Sequence, residues 1–203
     1  MHGDGDDGDE HDFLETARLI LRPPRADDAA AIARLANNRR VVENTGRLPY
    51  PYYEEHARQW IASLPGGGGE GQADAASFVV LAREPEAHLV GAVGFGRMGE
   101  DASDPDLGYW LGEPFWGNGY ATEAARAAID FAFAERGLAR LVAGCRIANG
   151  ASRRVLEKCG FQYSGDAMMD SRYFGGTVPV RRFRLERGIW SSLKQWGGGG
   201  ERG

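Results

Sequence analysis

The sequence predicts one α/β domain built on a mixed sheet. Three observations point there. Strand-like runs come early in the chain, at Thr16–Arg22, Ser77–Arg83, His88–Arg97 and Leu107–Leu111, with helical patterns inserted among them. A long alanine-rich helical stripe follows directly on the last of these strands, across a glycine turn. The 203 residues suffice for one full core, and the Pro65-Gly66-Gly67-Gly68-Gly69 loop divides the chain into halves too small to close cores alone.

Each element has a local reason. Thr16–Arg22 (TARLILR) is β-like and stops at Pro23-Pro24. Asp27 and Asp28 open a helix whose apolar positions include Ala31, Ile32, Leu35 and Ala36, with Asn37-Asn38 as its stop. Residues 43–52 form an irregular, aromatic-rich loop, and Glu54–Ser63 is a short helix. Ser77–Arg83 and His88–Arg97 read as paired strands around Glu84-Pro85-Glu86. After the glycine turn, Ala121, Ala125, Ala128, Ile129, Ala132 and Phe133 form one broad helical face, with Gly137 as its C′ residue. Leu141–Cys145 is a strand, and Ala151–Cys159 is a helix ended by Gly160. Phe161–Ala167 and Val178–Leu185 are the closing strands. Residues 1–13 read as a disordered acidic tail and 14–190 as the folded domain. The stretch from Trp190 onward is expected to fray, with 191–203 as a flexible tail.

Composition excludes several classes. The net charge of −5 is concentrated in six acids before residue 13, and the remaining acids nearly balance the 24 basic residues. A neutral body argues against nucleic-acid binding by charge. No apolar run reaches the length of a membrane span and the first residues are acidic rather than signal-like, so cytoplasmic residence is expected. Cys145 and Cys159 lack CxxC spacing and read as reduced thiols. The four histidines show no metal-ligand spacing, so no metal is expected.

The segment Phe115-Trp116-Gly117-Asn118-Gly119-Tyr120-Ala121-Thr122-Glu123-Ala124 carries the most chemistry. A glycine-rich turn between strand and helix leaves outward-pointing backbone N–H groups, and the helix dipole adds positive charge there. Such a site suits a pyrophosphate. Three phosphate-binding patterns compete. A P-loop requires G-x-x-x-x-G-K-[ST], which is absent. A dinucleotide fingerprint requires a third glycine where Thr122 stands, and an acid where Cys145-Arg146 ends the next strand. The third pattern is that of coenzyme A.

Trp116-x-x-Gly119-x-Ala121 resembles the pyrophosphate signature of the GNAT acetyltransferase superfamily, with Trp where the general pattern has Arg or Gln. The chain is similar to its RimJ/RimL-like branch on three segments. Gly108-Tyr109-Trp110-Leu111 with Trp116–Ala124 is the first. Asn149-x-x-Ser152-x-x-Val155-Leu156-Glu157-Lys158-x-Gly160-Phe161 is the second, and Glu15-Thr16-x-Arg18-Leu19-x-Leu21-Arg22 is the third. The resemblance spans about residues 14–190. It implies a mostly antiparallel sheet whose two central parallel strands splay apart around acetyl-CoA, with helices on its flanks.

It also implies roles. Trp110 and Leu111 would pair with the pantetheine arm, Gly117, Asn118, Gly119, Tyr120, Ala121 and Thr122 would hold the pyrophosphate, and Asn149 would bond the pantetheine amide region. A primary amine, on a protein N-terminus or a small molecule, would attack the thioester directly. Ser152 is the candidate to protonate the leaving thiolate, ahead of Tyr163 and Tyr173. Asp106 is the candidate base, ahead of Glu113 and of water-mediated deprotonation. A backbone N–H near Leu111 is the expected oxyanion donor. Asn44, Tyr50, Tyr52, Tyr173 and Arg182 are candidates to line the acceptor pocket. The late strands and Trp190–Trp196 are the candidate edge for a homodimer. The main alternative function is a non-catalytic acetyl-CoA sensor, and a nucleotide-dependent oxidoreductase is the third.

Overall fold

A computed structural model describes residues 13–64, 74–97 and 103–197. The expected acidic tail and the Pro65–Gly69 loop therefore fall almost wholly outside the described residues, as does the stretch after residue 197.

An eight-stranded sheet runs β1 (Leu14–Glu15), β2 (Leu19–Arg22), β3 (Ala76–Ala82), β4 (His88–Gly96), β5 (Asp106–Leu111), β6 (Arg140–Arg146), β8 (Gly176–Glu186) and β7 (Gln162–Ser171), in that spatial order. All neighbouring pairs are antiparallel except β5 with β6. The helices are α1 (Ala29–Ala36), α2 (Arg39–Val42), α3 (Glu54–Ala62), α4 (Tyr120–Ala134), α5 (Gly150–Lys158) and α6 (Arg187–Gly197). None of them is long and apolar enough to cross a membrane.

Strand alternation divides the core into two layers. Phe78 and Val80 of β3, Leu107 and Leu111 of β5, and Leu141 and Ala143 of β6 point to one face, where α4 lays its buried residues Ala124, Ala125, Ala128, Ile129, Ala132 and Phe133. Alanines on that stripe let the helix axis come close to the sheet, and Phe131 closes the layer against Phe78 and Phe95. Each large apolar side chain buried there stabilises the fold by about 1.5–3 kcal/mol. On the other face, Val79, Leu89 and Trp110 meet Ile32 and Ala36 of α1 and Ala57 of α3.

The structure departs from the sequence reading in three places. The first strand breaks at Thr16, whose hydroxyl donates to Glu123 Oε1 (2.6 Å) and whose Oγ1 accepts from Leu19 N. The stretch after Trp190 is helix α6 through Gly197 rather than a frayed tail. Trp190 and Lys194, four residues apart, both reach Asp130 on α4 (each 2.7 Å), and the Trp190 ring packs on Phe133. The four-residue helix α2 lies where no helix was expected; Asn38 Oδ1 caps it by accepting from Arg40 N.

Candidate active site

The parallel pair opens almost at once. Val142 donates to Pro105 O (3.0 Å), Asp106 pairs with Val142, and no later residue of β5 pairs with β6. β6 instead stays bound to β8 along its length, from Arg140↔Glu186 to Arg146↔Val180. The result is a wedge between β5 and β6 that joins the two faces of the sheet.

On the α4 face, the glycine turn closes the wedge. Gly117 (φ 82°) and Gly119 (φ 80°) both take the left-handed conformation that other residues adopt only at a cost. Gly119 is the N-cap of α4 and accepts from Thr122 and Glu123 (3.1 Å each). No described residue accepts from the N–H groups of Gly117, Asn118, Gly119, Tyr120 or Ala121. Five unsatisfied donors at a helix N-terminus fit a pyrophosphate.

The turn is braced from both sides. Trp116 Nε1 donates to Leu111 O (2.8 Å), tying the turn to the end of β5. Arg18 donates to Asn118 O (2.9 Å), pairs with Glu123 (2.6 Å) and lies over the Tyr120 ring. Burial would raise the Glu123 pKa, but the Thr16 hydroxyl and the Arg18 N–H and guanidinium outweigh it and hold the group below its usual range. The sequence suggested Arg18 only as part of a strand motif; its bracing role depends on a contact with a turn 100 residues away.

Ser152 stands at the mouth of the wedge, in the first turn of α5. Its N–H donates to Asn149 Oδ1 (3.0 Å), which caps the helix, and Asn149 Nδ2 keeps no partner among the described residues. Its hydroxyl lies 2.9 Å from the Tyr109 hydroxyl, which also donates to Ser152 O (3.1 Å). Burial pushes the Tyr109 pKa well above its ordinary value, so the phenol keeps its proton. Tyr109 was visible in the sequence only as part of a strand motif.

On the opposite face, Asp106, Gly108 and Trp110 point away from α4. Arg182 of β8 reaches over β6 to Asp106 (2.8 Å). It passes across Gly144, where a β-carbon would lie 2.9 Å from Arg182 Nη1. Burial raises the Asp106 pKa, with Arg182 and Arg47 pulling it back. Thus the candidate base and a candidate acceptor residue, 76 positions apart, form one pair.

The other sequence candidates divide. Tyr50 packs edge-on against Tyr173 (6.1 Å), so the loop after α2 and the β7–β8 turn meet at the cleft. Arg172 N donates to Gly46 O (3.0 Å) at the same junction. Tyr52 is buried, its ring among α1 and α3 residues, because Asn37 Oδ1 accepts its N–H (3.0 Å) and draws it inward. Asn44 donates to Arg40 O (2.9 Å). Glu113 is taken by Asn38 (2.7 Å) and by Arg40, which lies over Trp116; it braces the turn. Tyr163 is exposed and meets Phe183 edge-on (6.1 Å), away from the wedge. Among the described residues no cluster of three or more His, Cys, Asp or Glu could hold a metal, and both cysteines are buried free thiols.

Residues 18–162 match the acetyltransferase (GNAT) domain family. The chain belongs to the GNAT acetyltransferases. It is similar to the uncharacterized N-acetyltransferase YoaA of Bacillus subtilis, with 30% identity over 81% of this chain and 90% of the relative. It is also similar to the ribosomal-protein-serine acetyltransferase of Escherichia coli, with 35% identity over 39% of this chain and 45% of the relative. RimJ of Mycobacterium smegmatis, solved in complex with a CoA disulfide, shares the fold at a TM-score of 0.75, with 21% identity over 92% of this chain and 95% of that one. This GNAT enzyme therefore has the eight-stranded mixed sheet of its family, with the splayed pair at its centre.

Proposed function

We propose that the protein transfers an acetyl group from acetyl-CoA to a primary amine by direct attack in a ternary complex. The observation that carries this reading is the wedge itself. It links the free amides of the Gly117–Ala121 turn on one face to the Asp106–Arg182 pair on the other.

In this reading the pyrophosphate rests on the turn, Trp110 and Leu111 receive the pantetheine arm as an added strand, and the Asn149 amide donates to it. The thioester then crosses the wedge toward the Asp106 face. The amine nitrogen bonds to the thioester carbon and a backbone N–H near Leu111 stabilises the oxyanion. The C–S bond breaks, the amide forms and the CoA thiolate leaves. The thiolate takes the Ser152 proton, the neutral Tyr109 hydroxyl 2.9 Å away holds the serine oxygen by a hydrogen bond, and a proton from solvent restores Ser152. The ammonium proton passes to Asp106 through water, since Asp106 and Leu111 stand at opposite ends of β5. The raised pKa of Asp106 makes it a better proton acceptor than an ordinary carboxylate.

Acceptors in this family include ribosomal proteins, as the name of the Escherichia coli relative states, and a protein N-terminus is one candidate here. A free α-amine titrates near 7.7–8.0, so it needs little help from a base near neutrality. Cytoplasmic residence fits the two free cysteines. The outer edge of β7 and the exposed Leu193 and Trp196 of α6 support a homodimer. Thiol release from acetyl-CoA over a panel of amines tests the activity. Acceptor-dependent release above the blank is expected. Acetyl-CoA binding with no release for any amine would leave the sensor reading in its place.

A further inference from the structure

The Asp106 face of the wedge holds more positive charge than the mechanism uses. Arg47, on the loop after α2, hangs over β5, with Nη2 3.9 Å from where a β-carbon of Gly108 would stand. Arg172 sits at the β7–β8 turn, anchored through its N–H to Gly46 O. Arg146 of β6 donates to Glu43 O (2.9 Å) and stacks on Phe174. Arg182 pairs with Asp106. Of these, Arg182 and Arg47 act on Asp106, and that carboxylate is already paired with Arg182.

Arg47 and Arg172 form no hydrogen bond or ion pair with a carboxylate among the described residues, and the Arg172 charge acts on Arg47 across the Gly46–Arg172 backbone contact. Burial and the Arg172 charge both weaken the hold of Arg47 on its proton, and Asp106 opposes them. The neighbouring acids of β7 do not relieve this. Met169 packs toward Gly46, so alternation sends Asp170 to the opposite face, and Asp166, paired in register with Arg181, lies there too. Two like charges facing each other in a partly enclosed cleft are unfavourable until an anion lies between them. A guanidinium fork matches a carboxylate or phosphate in two parallel hydrogen bonds.

We propose that the acceptor carries an oxyanion beside its amine, and that Arg47 and Arg172 bind that oxyanion while the amine faces Asp106. The proposal rests on the acetyltransferase reading above and names its substrate class. Such an acceptor brings its own counter-charge into a cleft that would otherwise repel an ammonium group. The cationic surroundings also favour the neutral amine that attacks.

Matched pairs of amines test it. The pairs are glycine with glycinamide, aspartic acid α-amide with asparagine α-amide, and 2-aminoethyl phosphate with ethanolamine. They present a free α-carboxylate, a side-chain carboxylate like that of an acidic N-terminus, and a phosphate. For each pair, kcat/KM is measured, together with binding to the CoA-saturated enzyme by calorimetry, which reports even where turnover is absent. At least one anionic member is expected to exceed its neutral twin by about 10-fold or more. That ratio is expected to collapse in Arg47→Gln and Arg172→Gln and to recover in part in Arg47→Lys, with acetyl-CoA affinity held at the wild-type value as proof of folding. Neutral twins that do as well, an anionic preference that survives both Gln variants, or no binding by any anionic member would each overturn the proposal. Acetylation of neutral amines alone would sink it and leave the acetyltransferase reading standing. Failure to bind acetyl-CoA would sink both.

Discussion

Gly119→Glu and Gly137→Glu form a matched experiment at the two ends of α4. Both glycines are left-handed, with φ of +80° and +66°. A side chain at either position costs about 1–2 kcal/mol of backbone strain. Each kcal/mol lowers the midpoint of a domain this size by about 2–4 °C, so both variants should melt lower by similar amounts. Space does not separate them much: nothing lies within 4 Å of a β-carbon at Gly137, and at Gly119 the nearest atom is Arg18 Nη2 at 3.4 Å, the movable end of a long side chain. Binding separates them. A carboxylate at residue 119 lies against the turn that offers five free amides. Two like charges about 5 Å apart at an effective dielectric of about 20 repel by about 3 kcal/mol, more than 100-fold in affinity. Residue 137 stands beyond the far end of the helix. Calorimetric titration of acetyl-CoA, alongside thermal melts of both variants, reads the two effects apart. The account expects equal melts, lost affinity in Gly119→Glu and wild-type affinity in Gly137→Glu. Equal affinities in the two variants would refute the assignment of the pyrophosphate to this turn.

Three further predictions concern single groups. Ser152→Ala is expected to lower kcat by about 10–100-fold with little change in acetyl-CoA affinity, because the thiolate then leaves unprotonated; steady-state kinetics with parallel calorimetry checks this, and unchanged kcat removes Ser152 from the chemistry. Asp106→Asn is expected to lower kcat/KM by about 100-fold and to flatten the acid limb of its pH profile. In the wild type that limb rises with pH through a carboxyl pKa above the ordinary value, and an unaltered limb in the variant would assign it to another group. Asp28, held by the Arg22 fork (2.7 and 2.8 Å) and by Arg25 N, keeps its pKa below the usual value despite burial. Its contribution is therefore fully present above about pH 4 and lost as pH falls through the depressed folded value. Asp28→Asn should destabilise the fold by about 3 kcal/mol at pH 7, in urea unfolding, and by less at pH 3; equal losses at both pH values would contradict the linkage.

What the sequence revealed was local. The Gly117–Ala121 turn, the α4 stripe and the Asn149–Ser152 cap each depend on neighbours within a few residues, and periodicity and spacing report those directly. Asp106 and Arg182 could be named separately, but not as a pair, because their contact depends on the empty lane over Gly144 between two strands. Helix α6 was missed for the same reason: Trp190 and Lys194 are fixed by Asp130, 60 and 64 residues away. A near-neutral body suggested no charge preference, yet Arg47, Arg146, Arg172 and Arg182 come from four segments to one cleft, and net charge does not register such a gathering. The aromatic run Tyr50-Pro51-Tyr52 could not show that one ring lines the cleft junction and the other fills the core beneath it.

The central claim is that the wedge between β5 and β6 receives acetyl-CoA. Titration of acetyl-CoA into the purified protein by calorimetry, with NAD and ATP as controls, tests it most directly. The account predicts saturable binding of acetyl-CoA with a dissociation constant in the micromolar range, about −8 kcal/mol, and none of NAD or ATP. No heat from acetyl-CoA, or equal binding of the controls, would contradict it, and the roles given to Ser152, Asp106 and the arginine cluster would fall with it.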